Sequence, residues 1–196
     1  MRDRLLIKKI EISNCGGFTG EPHIIELSSD SKKNFSIIIG TSGRGKSTIF
    51  QLIHWCLYGE HLDEKDEKTA TDEGIINLPQ LESLQEGEKV TGKVTLRINN
   101  QKGEKYVLER SITAQKLSEE SRTKFSLENN SRIEAGINIE IIPKLKMKDK
   151  NGNDKWEKNP SLINAEIRQH LPQPLKDFFL FDGEKLIKFQ TKTGSA

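Results

Sequence analysis

Eight consecutive residues carry the types and spacing of a phosphate cradle: Gly40-Thr41-Ser42-Gly43-Arg44-Gly45-Lys46-Ser47. They meet the pattern G-x-x-x-x-G-K-[ST] at every fixed position, a match expected by chance in about one chain in a hundred of this length. The chemistry dictates these types. Glycines permit the dihedrals that turn successive backbone N–H groups inward around an anion. A helix beginning at Lys46 presents its partial positive N-terminus to the same anion. Lys46 is placed to bridge the β- and γ-phosphates of a nucleoside triphosphate, and the Ser47 hydroxyl to ligate Mg²⁺. The binding segment is therefore read as Gly40, Thr41, Ser42, Gly43, Arg44, Gly45, Lys46, Ser47 and Thr48, with ATP and Mg²⁺ as cofactors. The alternative is a tight strand-to-helix turn with a surface lysine, and the flanking elements favour the cradle.

Those elements are legible. Phe35-Ser36-Ile37-Ile38-Ile39 is a short apolar run rich in β-branched residues, as expected of a strand buried on both faces. Lys46 to Tyr58 sets Ile49, Leu52, Ile53, Cys56 and Leu57 at helical spacing, and Gly59 ends the helix. Residues 4–13 and 23–27 predict two antiparallel strands separated by Asn14-Cys15-Gly16-Gly17. Lys93 to Ile98 and Lys105 to Ile112 predict a hairpin, and Gly136 to Met147 another strand before the turn Asn151-Gly152-Asn153-Asp154. Asn159-Pro160-Ser161 opens a helix closed by His170-Leu171-Pro172. Residues 59–74 read as an acidic, solvated excursion, and 115–135 as polar and poorly patterned.

Composition bounds the rest. The chain has 196 residues, with 31 Lys+Arg against 29 Asp+Glu, so neither a polybasic tail nor an acidic disordered chain fits. No apolar run approaches the roughly 18 residues needed to cross a bilayer. Leu5, Leu6 and Ile7 make too short a stretch for a signal peptide. Two cysteines, Cys15 and Cys56, make no disulfide framework, so the expected compartment is a reducing cytoplasm. His23, His54, His61 and His170 are scattered, without the spacing of a zinc site. His54 and Trp55, behind the loop, are expected in packing rather than chemistry.

The segments 9–18 (Lys-Ile-Glu-Ile-Ser-Asn-Cys-Gly-Gly-Phe), 37–48 and Cys56-Leu57-Tyr58-Gly59 together resemble the start of an SMC/RecF/SbcC-type ATPase head. Phe178-Phe179-Leu180-Phe181-Asp182-Gly183-Glu184-Lys185 closely resembles the corresponding segment of the DndD ATPases of DNA phosphorothioate systems and of Lamassu-type defence ATPases. The resemblance implies an α/β P-loop NTPase fold, an ABC-ATPase-like N-terminal lobe with a mixed sheet and an antiparallel β-subdomain. It implies a lobe over residues 1–190, with 191–196 as a linker or truncation end. The coiled coil and the C-terminal lobe would lie outside the chain. ATP hydrolysis would need that C-terminal lobe and a second head, which dimerises on ATP. Double-stranded DNA, and a nuclease or other defence-operon subunit, are the further partners implied; a membrane is not. Gly16-Gly17 stands where such heads often carry a basic residue reaching the nucleotide. SbcC-like break repair, or a self-contained small phosphotransferase, are the alternatives to defence.

Asp182 admits two roles. Set against the family's Q-loop it occupies the glutamine's position, where a carboxylate would bind Mg²⁺ as a hard anion. Four apolar residues followed by Asp also make a Walker B strand, with Glu184 polarising water. Both put Asp182, with Ser47, at the metal and, with Lys46, at the catalytic centre. An aromatic strand entering an Asp-Gly turn is the bland reading. Lys144, Lys146, Lys148 and Lys150 share one face of a strand. They either neutralise DNA phosphates or protect a sheet edge from aggregation. Arg110 either approaches phosphate or DNA, or caps the hairpin edge.

Overall fold

Strands that alternate apolar and polar residues can cover a core with one face only, and the two long central strands, residues 89–100 and 105–116, are of this kind. The computed structural model describes residues 5–28, 36–41, 43–59, 72–100, 103–118, 137–148 and 151–171. Their elements are β1 (Leu5–Ser13), β2 (His23–Glu26), α1 (Lys46–Tyr58), a 3-10 turn (Asp72–Ile75), α2 (Leu78–Glu82), β3 (Lys89–Asn100), β4 (Lys105–Lys116), β5 (Ile137–Lys148), β6 (Asp154–Glu157) and α3 (Pro160–His170). The strands form one sheet in the order β2-β1-β3-β4-β5-β6, antiparallel throughout. They supply the antiparallel part of the expected fold, and no parallel pair occurs among the described residues.

The register sets one row of core residues across the sheet. Ile10 lies opposite Leu96, Leu96 opposite Leu108, and Leu108 opposite Leu145, all fully buried. Helix α1 lies on this face with Leu52, Trp55, Cys56 and Leu57 buried. The Cys56 thiol lies 3.5 Å from Val94 O and 3.8 Å from Leu108 O, so the helix sits over β3 and β4. Helix α3 joins it through Ile163 and Ile167, and Tyr58 Oη donates to Leu171 O. Each such aliphatic side chain contributes on the order of 1.5–3 kcal/mol on burial. Burial pushes both the Cys15 and the Cys56 thiol up to about 12, so both remain neutral.

Arg110 belongs to this core, neither at phosphate nor at a hairpin edge. It points inward from the middle of β4, opposite Val94, and is buried. Its Nε donates to Cys56 O at 3.1 Å, near the C-terminus of α1, and its guanidinium carbon lies 5.9 Å from the Trp55 ring. Burial lowers its pKa. A strand reading ending at Ile112 put Arg110 close to an edge, but β4 continues to Lys116 and leaves it at the centre.

The run Ile37-Ile38-Ile39 corrects a second expectation. Residues 36–40 make no strand pairing, and the three isoleucines are 69%, 41% and 88% exposed. The apolar pattern specifies that such a run be covered, but not by what. The described sheet ends at β2 and β6, and neither edge reaches these residues. Phe35 lies outside the described residues. No described helix is long and apolar enough to cross a membrane.

Beyond the core, charge organises the exposed side of the sheet. Asp154 accepts from both Lys146 and Lys148 at 2.7 Å, and these bonds hold its carboxyl well below its ordinary 3.8, at about 2. A depressed folded-state pKa stabilises the fold above the ordinary value and loses that contribution as pH falls toward the depressed one. Asp154→Asn is therefore expected to lower the Tm at pH 5. The difference from the parent should vanish between about pH 4 and pH 2. A Tm gap that persists unchanged to pH 2 would contradict this pairing.

Candidate functional site

The backbone turns ahead of α1 where the glycines allow it. Gly43 and Gly45 adopt φ of +74° and +83°, left-handed values that L side chains rarely occupy. Gly45 is the residue from which α1 starts, and no side chain caps that start; its carbonyl accepts from Ile49 N at 3.0 Å. Gly45 has no side chain with which to cap the N-terminal amides of α1, an arrangement that suits an anion-binding helix start. Lys46 Nζ donates to Thr41 O at 2.9 Å, so the ammonium lies back across the loop that its own residue closes. Gly40 and Thr41 lie before the turn at Gly43, Arg44 and Gly45, and Lys46, Ser47 and Thr48 make the first turn of α1. Ser42 and Asp182 lie outside the described residues, as does the whole Phe178–Lys185 segment.

A second layer braces this turn, and its role was not foreseen from sequence. The loop after β1 folds onto the start of α1. A Cβ on Gly16 would fall 2.4 Å from Thr48 Cγ2, and Gly16 has φ +54°. Phe18 stands over Gly45, its ring 3.6 Å from where a Cβ would be, and meets His23 edge-on with centroids 5.3 Å apart. Asn77 holds the loop from behind. Its Nδ2 donates to Gly16 O at 2.7 Å and its backbone N–H to Asn14 O at 3.0 Å, while Gly16 N donates to Ile75 O at 2.9 Å. The Asn77 side chain also accepts from Gln80 N, capping α2. Buried Asn77 thereby ties the loop after β1 to the start of α2. The signals were present: Asn77-Leu78-Pro79 is a helix-start pattern, and the Gly16-Gly17 pair marks a close backbone approach. Spacing alone did not say what approaches what.

Thr48 has its methyl group committed to Gly16, which orients the residue directly after the proposed metal ligand Ser47. His54 and Trp55 are buried on the far side of α1, in packing positions. Among the described residues, no three His, Cys, Asp or Glu side chains gather to hold a metal ion. The turn and helix start can therefore bind an anion through backbone amides, Lys46 and the Ser47 hydroxyl. A divalent cation at this site would lean on Ser47 and on phosphate oxygens.

The sequence profile of the AAA domain family AAA_23 matches residues 9–192, nearly the whole chain. No curated protein matches it. A solved structure described as "Structural biochemistry of ATP-driven dimerization and DNA stimulated activation of SMC ATPases" is similar over 94% of this chain and 90% of its own, at 16% identity and a TM-score of 0.43.

Proposed function

The chain belongs to the AAA domain family AAA_23, and on that premise we propose that it is the ATP-binding N-terminal lobe of an SMC-like ATPase head acting on DNA. Its fold is that of an α/β P-loop ATPase domain. The observation that carries the reading is the uncapped start of α1 behind Gly43 and Gly45, with Lys46 folded across the loop. In this reading the backbone amides of residues 43–47 cradle the β-phosphate, Lys46 reaches the β- and γ-phosphates, and the Ser47 hydroxyl helps hold Mg²⁺. Mg²⁺ would neutralise the charge that develops on the phosphate oxygens. Asp182 supplies a carboxylate to that metal, whether it stands in a Q-loop or a Walker B strand.

The exposed Ile37-Ile38-Ile39 run supports a head built from two lobes. Three isoleucines leading into the cradle fit a strand whose partners lie on a C-terminal lobe of the same ATPase. A second head would complete the γ-phosphate site, so that ATP closes the dimer and hydrolysis opens it. The machine is then a switch that repositions its partners on double-stranded DNA rather than altering a substrate covalently. Resemblance of the Phe178–Lys185 segment favours a defence role, in the manner of DndD or Lamassu ATPases, over SbcC-like repair. A nuclease or other defence-operon subunit fits as a further partner, in a cytoplasmic setting.

The test is steady-state ATP hydrolysis by this chain, alone and then mixed with a candidate C-terminal lobe. Negligible turnover alone that appears on mixing is the expected result. Full turnover by the 196 residues alone would mean a complete active site, and would leave the self-contained phosphotransferase as the better account.

A further inference from the structure

Both longer helices pack on one face of the sheet, and the opposite face carries a patterned charge. The register places Lys9, Glu11, Lys93, Arg97, Glu109 and Lys144 on that outer face, with Lys146, Lys148 and Asp154 continuing it toward the β6 edge. The carboxylates are each shared by two cations. Glu11 meets Lys9 at 3.2 Å and Arg97 at 2.8 Å; Glu109 meets Lys93 at 3.8 Å and Lys144 at 3.6 Å; Asp154 meets Lys146 and Lys148 at 2.7 Å. Six cations against three carboxylates leave an excess of three positive charges. Lys89 and Lys105 also face outward and are offset by Glu26 and Glu140. A chain of net +2 thus concentrates +3 on one face of its sheet.

We propose that this outer face binds the phosphate backbone of duplex DNA without regard to sequence, an inference that rests on the DNA-acting reading above and gives it a surface. Each carboxylate holds its two cations upright at the surface, and exposed ion pairs of this kind are worth at most about 1 kcal/mol. Phosphates can therefore take the cations over at little cost. Lys144, Lys146 and Lys148 stand about 7 Å apart along β5, a straight row beside which one DNA strand can run. Lys93 and Arg97 on β3 lie two strands away, about 10 Å, and Lys9 on β1 about 15 Å. That spread brackets the roughly 12 Å across the major groove, so the two rows can meet the two backbones. The face offers no helix to read base edges. Trp156, opposite Lys146 and 44% exposed, is a single aromatic rather than the succession of rings that single-stranded DNA stacks upon. The edge-protection account of the lysines loses ground, because β6 pairs with β5 over Leu145–Lys148 and the lysines mark a face instead. Lys150 lies outside the described residues.

The experiment is fluorescence anisotropy of a labelled mixed-sequence 30-base-pair duplex with the full chain, from 50 to 200 mM NaCl, with ATP affinity measured on every variant. The parent is expected to bind with a log–log salt slope near −3, about one phosphate per excess charge. Lys144→Gln with Lys146→Gln should weaken binding roughly thirtyfold and flatten the slope by about two. Glu109→Gln, which frees Lys93 and Lys144, should tighten it a few-fold. ATP affinity should not move in any of them. A parent that ignores duplex, a preference for single-stranded DNA, or charge variants that bind duplex like the parent would each overturn the proposal. Loss of ATP binding by the parent would be a separate failure, that of the nucleotide reading, and shows in its own readout.

Discussion

Lys46→Ala is expected to weaken ATP binding roughly ten- to hundredfold while leaving the fold intact. The figure is that of one charge-assisted hydrogen-bonding group, worth about 1.5–3 kcal/mol. The ammonium lies against Thr41 O on the exposed side of the turn rather than in the core, so its removal opens no cavity. Isothermal titration with ATP and Mg²⁺, beside a thermal melt, reads both halves of the expectation. Unchanged affinity with an unchanged Tm would remove the cradle from consideration as the nucleotide site.

Gly16→Ala carries the largest expected cost to stability, although Gly16 sits outside the cradle. Its φ of +54° imposes about 1–2 kcal/mol on any L side chain. The new Cβ would fall 2.4 Å from Thr48 Cγ2, and the loop cannot retreat, because Ile75 O and Asn77 Nδ2 hold Gly16 from the other side. Overpacking adds about 1–3 kcal/mol, for a total near 2–5 kcal/mol and a fall in Tm of roughly 6–15 °C. ATP affinity should fall with it, since Thr48 is displaced beside Ser47. Thr48→Ser removes the offending methyl and keeps the hydroxyl. The double variant is therefore expected to recover the steric part and retain the dihedral part. Melts of the four proteins decide this. If Thr48→Ser adds its own loss to that of Gly16→Ala, the contact is not the cause.

Helix α1 shows how much local pattern can carry. Its apolar spacing, its glycine cradle and its stop at Gly59 each follow from short-range rules, and the helix spans Lys46–Tyr58 as those rules predict. Asn159-Pro160 likewise starts α3 with the asparagine side chain accepting from Ser161 N and Leu162 N. Strands β3 and β4 were legible as a hairpin, but both run longer than the apolar stretches suggested. Thr91, Thr113 and their neighbours pair through backbone groups that every residue carries. Strand β6, at four mostly exposed residues, has no pattern to find; it exists because β5 offers an edge.

By itself, then, the sequence determined the glycine turn and the helix that follows it, because glycine dihedrals and helix termini act within a few residues. Tertiary structure alone decided the rest. It put Arg110 under α1, left Ile37-Ile38-Ile39 uncovered, pressed Gly16 against Thr48 through Asn77, and aligned lysines from three strands on one face. Each of these joins residues far apart in the chain. Which distant partner a side chain meets depends on strand order and register, and no local pattern contains them.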